Sequence, residues 1–294
     1  QVNTLVLLFL CAGILFLERG KLLIGGGFIG GAAMLKVMPI VLLFVLLAQK
    51  RFLAALGMIL GLALFWCLPM LWMLSSGPVS ALEQNVSLSK EYVTELAIKR
   101  ASNSSASGLG GSRAPNNSLS AVGRRYFGAP IKLSTTKSDG KSPLIAEVSD
   151  PIIRWSAFGL GAILGLLSML LGWRGRDSRH VRIASLGLGL TAAALVNPLY
   201  WPHHTILLAL AIAPVAALGW RKRLIIPLAI MCFLPLLNVV LPLRWMGILG
   251  TPTLGVLIIW GMVFRESWRQ SVDADAEPPI LRAHEEANTG NFTA

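Results

Sequence analysis

The chain has 294 residues, of which 54% are hydrophobic and only 14% charged, with a formal net charge of +12. A soluble domain carries roughly 25% charged residues, so this composition predicts an integral membrane protein. The positive charge falls in short stretches between apolar runs, which marks membrane topology and argues against nucleic acid as a partner.

Taken in chain order against the roughly 17–25 apolar residues of a spanning helix, the run at 2–17 is a short first span. Runs 22–35 and 40–48 are each too short to cross alone, and Lys36 and Pro39 interrupt them. Gly25-Gly26-Gly27 and Gly30-Gly31 lie inside the first of these, where small residues predict close helix packing. Arg19/Lys21 and Lys50/Arg51 are both basic and belong on one side, so the stretch between them goes out and comes back as two short helices turning at 36–39. One long kinked helix is the alternative.

The run 52–74 then carries the chain outward to a long external loop, 75–150. Within it, 81–100 has partial helical periodicity, 101–114 is Ser/Gly-rich, and Asn116-Asn117-Ser118 opens a short helix bearing Arg124 and Arg125. Runs 152–173, 183–199, 205–220, 224–241 and 248–264 follow as spans. The clusters 174–182, 221–223 and 265–269 all fall on the inner side, and Arg244 is a mild exception. The fold class is therefore an all-α integral membrane helix bundle of about nine membrane segments, including the short pair at 22–48. It divides into membrane helices at 1–74, an extracytoplasmic loop at 75–150, membrane helices at 151–264 and a cytoplasmic polar tail at 265–294.

On the outer side this topology collects Gln1, Asn3, Lys36, Asn117, Ser118, His203 and His204 from distant parts of the chain. They are hydrogen-bond donors, the set that holds a sugar phosphate and an acceptor hydroxyl. An ammonium at membrane depth costs roughly 3 kcal/mol or more unless partnered, and a lipid phosphate suits Lys36; snorkelling to the interface is the bland alternative. His203 and His204 follow Tyr200 and Trp201, interfacial residues, so the histidines either donate to an oxyanion or close an aromatic turn. No carboxylate or histidine cluster beside them has metal-ligand spacing. Glu83, Glu91, Glu95, Asp139, Glu147 and Asp150 are external, but none stands in a recognisable motif.

At these residues the sequence resembles glycosyltransferase family 87, polyprenyl-phosphate-mannose-dependent α-mannosyltransferases of the GT-C superfamily. Q-V-N (1–3) looks like the family's G-Q-x-N helix start, and G-G-A-A-M-L-K-V-M-P (30–39) like its small-residue helix ending in K-x-x-P. N-N-S-L (116–119) with Arg124/Arg125 looks like its N-Q-S-L segment, and N-P-L-Y-W-P-H-H (197–204) like its S-P-x-S-W-x-H-H signature. Asn117, Asn197 and Tyr200 depart from the usual residues.

The resemblance implies transfer of a sugar, mannose in that family, from a polyprenyl-phosphate donor to a hydroxyl of a glycolipid or glycan acceptor, with inversion and without cofactor or metal. It implies a multi-pass protein of the plasma (inner) membrane whose site faces the extracytoplasmic side. Lys36, His203 and His204 would serve catalysis by stabilising the departing phosphate, while Gln1, Asn3, Asn117, Ser118 and Arg124 would bind substrate. Enzymes of the superfamily carry a catalytic Asp in their first external loop. That loop would precede Gln1, so the chain is expected to be a fragment lacking the general base. Two other classes stay open: a lipid-linked-sugar transporter, which should show an internal repeat, and a non-catalytic membrane scaffold.

Overall fold

A computed structural model describes residues 2–74, 77–91, 94, 118–127, 148–197, 209–215 and 251–276. Among these, all regular structure is helical. The helices are α1 (Val2–Glu18), α2 (Leu22–Leu35), a 3-10 turn (Met38–Val41) leading into α3 (Leu42–Ala48), α4 (Phe52–Met73) and α5 (Pro78–Glu91). They continue with α6 (Leu119–Phe127), α7 (Asp150–Arg174), α8 (Arg179–Val196), α9 (Ala209–Val215) and α10 (Thr251–Ala276).

Among the described residues two helices, α4 and α7, are long and apolar enough to cross a membrane. Neither is the buried core of a soluble domain, since each exposes an apolar stripe along its length. On α7 the stripe runs through Trp155, Ile163, Leu166, Leu170 and Trp173. Its two tryptophans stand about 27 Å apart at 1.5 Å per residue, close to the roughly 30 Å of a hydrocarbon core, as a pair of interfacial anchors should. Phe52 and Trp72 bracket α4 in the same way, about 30 Å apart. The protein is accordingly an all-α membrane protein. Helices α1 and α2 and the Met38–Ala48 segment are shorter apolar helices.

The path of the first five segments is fixed by backbone contact. Helix α2 runs back along α1, with Gly13 and Gly25 against one another. It then lies against α4, where a Cβ on Gly26 would collide with the Ala54 carbonyl and one on Gly57 with that of Leu23. Gly30 meets Met58 and Gly61 meets Gly27, so residue numbers rise together and the two helices are parallel. Parallel neighbours need a return segment between them, and residues 38–48 supply it. The out-and-back pair is thus present, and a single kinked helix is excluded. Pro39 suits the break because it brings no N–H and sits in the first turn of the new helix.

Two turns, after α1 and after α3, close alike. Lys21 N–H donates to the Phe16 carbonyl at 2.9 Å past Gly20 at φ 77°, and Arg51 N–H donates to that of Leu46 at 3.0 Å past Lys50 at φ 58°. These are left-handed helix endings. The second half of the bundle is an α7–α8 hairpin, with Gly161 beside Val196 and Gly172 beside Ser185. Helix α3 docks on it through Val45 at Gly189. Helix α10 crosses the same hairpin, its Trp260 indole donating to the Leu188 carbonyl at 3.1 Å and Trp268 lying under the Arg174 guanidinium at 5.0 Å.

Helix α5 is described as far as Glu91 and packs along α4, with Asn85 donating to the Trp66 carbonyl at 2.9 Å and the Trp66 indole to Ser89 at 2.7 Å. One helix end differs from expectation. Helix α10 continues through the charged stretch to Ala276, because Ser267, Trp268 and Ser271 still face the bundle. The expected runs at 224–241 and most of 205–220 lie outside the described residues.

Candidate functional site

The bundle has two polar ends. At one, the Glu18 carboxylate is almost wholly buried and receives Arg51 Nη1 at 2.9 Å and Arg182 Nη2 at 2.7 Å, with Arg179 Nε at 3.8 Å. Beside it Gln49 Nε2 donates to the Arg182 carbonyl at 3.0 Å and to Ser185 Oγ at 2.9 Å. This polar knot joins α1, α4 and α8 where α1 ends and the other two begin.

The opposite end holds Asn3 and Lys36, two of the residues singled out from the sequence. Lys36, closing α2, donates from Nζ to Asn3 Oδ1 at 2.7 Å. Asn3 lies in the first turn of α1, fifteen residues or about 22 Å from Glu18. The spacing places Asn3 and Lys36 at the far side of the bundle from the arginine knot. The ammonium has two further protons beyond the one Asn3 accepts.

A second pair stands at the same end. Helix α8 starts beside Glu18 and ends at Val196, so its antiparallel neighbour α7 begins where α8 ends, at Asp150. The Asp150 carboxylate pairs with the Arg124 guanidinium and with Arg154 Nη2 at 2.6 Å. Arg124 is only 5% exposed, so its charge is turned into the protein and ties α6 to α7. The Val148 N–H adds a bond to the Phe127 carbonyl at 2.6 Å, closing α6 against the start of α7. Ser118, fully buried, caps α6 by accepting the Ala121 N–H at 3.2 Å, the expected behaviour of serine before a helix.

Of the sequence-predicted set, the structure therefore brings Asn3 and Lys36 into direct contact and places Ser118 and Arg124 on a neighbouring support at the same end. Gln1, Asn117, His203 and His204 lie outside the described residues. Two residues gain importance that sequence reasoning did not assign. Asp150 was one of six external carboxylates with no motif; its Arg154 partner at i+4 was a visible signal, but Arg124 was not. Glu18 is the lone acid before Glu83, and such a carboxylate among basic segment ends was the cue to a buried knot.

With this geometry in hand, comparison with protein families gives one match: glycosyltransferase family 87, over residues 1–198. That is two thirds of the chain. The protein belongs to glycosyltransferase family 87. Neither the curated proteins nor the solved structures contain a match. The family 87 match takes in Asn3, Lys36, Ser118, Arg124 and Asp150 and ends before His203. Membership makes the protein a glycosyltransferase, with a sugar donor and an acceptor as its substrates.

Proposed function

We propose that this family 87 protein transfers mannose from a polyprenyl-phosphate donor to a hydroxyl of a glycolipid or glycan acceptor, at the extracytoplasmic face of the plasma (inner) membrane. The observation that carries the reading is the Lys36–Asn3 contact. It holds a cation at the end of the bundle away from the arginine knot, with N–H donors left for an anion. A phosphate leaving group is the anion that glycosyl transfer from a lipid donor generates.

In the reaction the acceptor oxygen attacks the anomeric carbon from the face opposite the donor phosphate. The new C–O bond forms as the bond to the phosphate oxygen breaks, inverting the centre. Lys36 donates to the phosphate oxygen as negative charge gathers there, with Asn3 fixing the ammonium's direction and a histidine of the His203/His204 pair completing the cradle. The acceptor proton passes to a general base. Asp150 is ill suited to that task because Arg124 and Arg154 already occupy its carboxylate. Ser118 and Arg124 then support the wall of the site through α6, with Gln1 and Asn117 contacting substrate.

The test is transfer of labelled mannose in membranes containing the protein, with polyprenyl-phosphate-mannose offered against a nucleotide sugar. Lys36→Ala, His203→Ala and His204→Ala are assayed singly. Lys36→Ala and at least one histidine variant should lose on the order of 10²-fold in rate, the scale of a removed oxyanion donor. Full activity in all three overturns the phosphate cradle, and use of the nucleotide sugar overturns the donor assignment.

A further inference from the structure

The arginine knot at the Glu18 end holds more cation than the fold consumes. Four guanidinium groups, of Arg51, Arg176, Arg179 and Arg182, gather round two carboxylates, Glu18 and Asp177. Arg51 and Arg182 are half-buried and saturate Glu18. Arg179 is 65% exposed and reaches Glu18 only at 3.8 Å. Arg176 is 40% exposed, and its nearest carboxylate, on Asp177, is also 3.8 Å away. Its structural bond is made by its carbonyl, which accepts Arg182 Nη1 at 2.8 Å. Among the described residues no other carboxylate pairs with either side chain.

These two arginines follow directly on the exposed apolar stripe of α7. Leu166, Leu170 and Trp173 recur at helical spacing, all exposed, and the stripe ends at Trp173, three residues before Arg176. Apolar surface leading into an interfacial tryptophan and then into under-neutralised guanidinium groups is the complement of an amphiphile with an anionic head. We infer that an anionic phospholipid occupies this edge of the bundle, its acyl chains along Leu166, Leu170 and Trp173 and its phosphate held by Arg176 and Arg179. The site is separate from the Lys36 end and independent of the sugar donor proposed there.

The experiment measures lipid retained by the purified protein in native mass spectrometry, after exchange with phosphatidylglycerol or phosphatidylcholine. Wild type should retain phosphatidylglycerol in preference. The double variant R176Q/R179Q should bind it roughly thirtyfold more weakly, about fivefold per arginine. Lys90→Gln, a charge removed from the exposed face of α5, should leave retention unchanged. Retained circular dichroism and the same elution volume check that the double variant is folded; a misfolded one is replaced by Arg179→Gln alone, read at fivefold. Equal retention of the two lipids by wild type, or equal loss in Lys90→Gln, overturns the site. If millimolar inorganic phosphate displaces the lipid completely, the arginines hold a free anion and the lipid assignment fails.

Discussion

Lys36 and Asn3, thirty-three positions apart, meet at 2.7 Å at the far end of the bundle from Glu18. The carboxamide oxygen gives the ammonium one neutral partner and leaves its charge uncancelled. Asn3→Asp would cancel it. That variant should bind the donor phosphate more weakly than Asn3→Ala does, because a fixed carboxylate competes with the phosphate for the same cation. Donor KM in the mannose-transfer assay reads this directly; a lower KM for Asn3→Asp than for Asn3→Ala contradicts it.

The arginine knot should dominate stability. The Glu18 side chain is 3% exposed and those of Arg51 and Arg182 about 15%, so removing the carboxylate strands two half-buried cations. Glu18→Ala should cost about 3–5 kcal/mol, and Glu18→Gln less since it keeps an acceptor. Denaturation in detergent checks the order. A loss under 1 kcal/mol for Glu18→Ala would show the pair to be solvated.

The Arg124–Asp150 pair is a docking contact between α6 and α7. A double-mutant cycle with Arg124→Ala and Asp150→Ala should give a coupling of about 1–3 kcal/mol, as for contacting charged groups. Additive effects would place α6 elsewhere.

Gly20 sits at φ 77° with open space where a Cβ would go. Gly20→Ala should therefore cost only the left-handed conformational penalty, about 1 kcal/mol. Gly26→Leu, by contrast, drives a side chain into the Ala54 backbone and should abolish folding of the α2–α4 pair. Comparable melting temperatures for the two variants would contradict the close approach.

Topology has its own test. Cysteine at Ser178, in the α7–α8 turn, should label from the side opposite a cysteine at Ser104, with a membrane-impermeant reagent. Labelling from one side would remove the two-faced arrangement on which the proposed site depends.

Much of the fold was legible because bilayer length and side-chain hydropathy are one-dimensional signals. The runs 2–17, 22–35, 52–74 and 152–173 match α1, α2, α4 and α7 within two residues. Lys36 and Pro39 announced the break between α2 and α3, and the basic segment ends implied its reversal. The glycine runs announced close packing but not the partner, which is α4 as much as α1. At the candidate site, depth was legible and pairing was not. Lys36 was expected to need a partner, and a lipid phosphate was named where Asn3 is its neighbour. Arg124 was read as a substrate contact, and its pairing with Asp150 had no signal in the sequence. Pairings between distant residues leave no periodic trace, and only the folded helices reveal them.

The parallel run of α2 beside α4 also sets a height. Gly30 lies against Met58 and Leu62, so Lys36 comes opposite residues about six further along α4 and stops roughly 10 Å short of Trp72. Among the described residues there is therefore a step between these two helices, with tall α4 on one side and the low crest at Lys36 on the other. A charge at the foot of such a step draws water down with it and thins the local barrier.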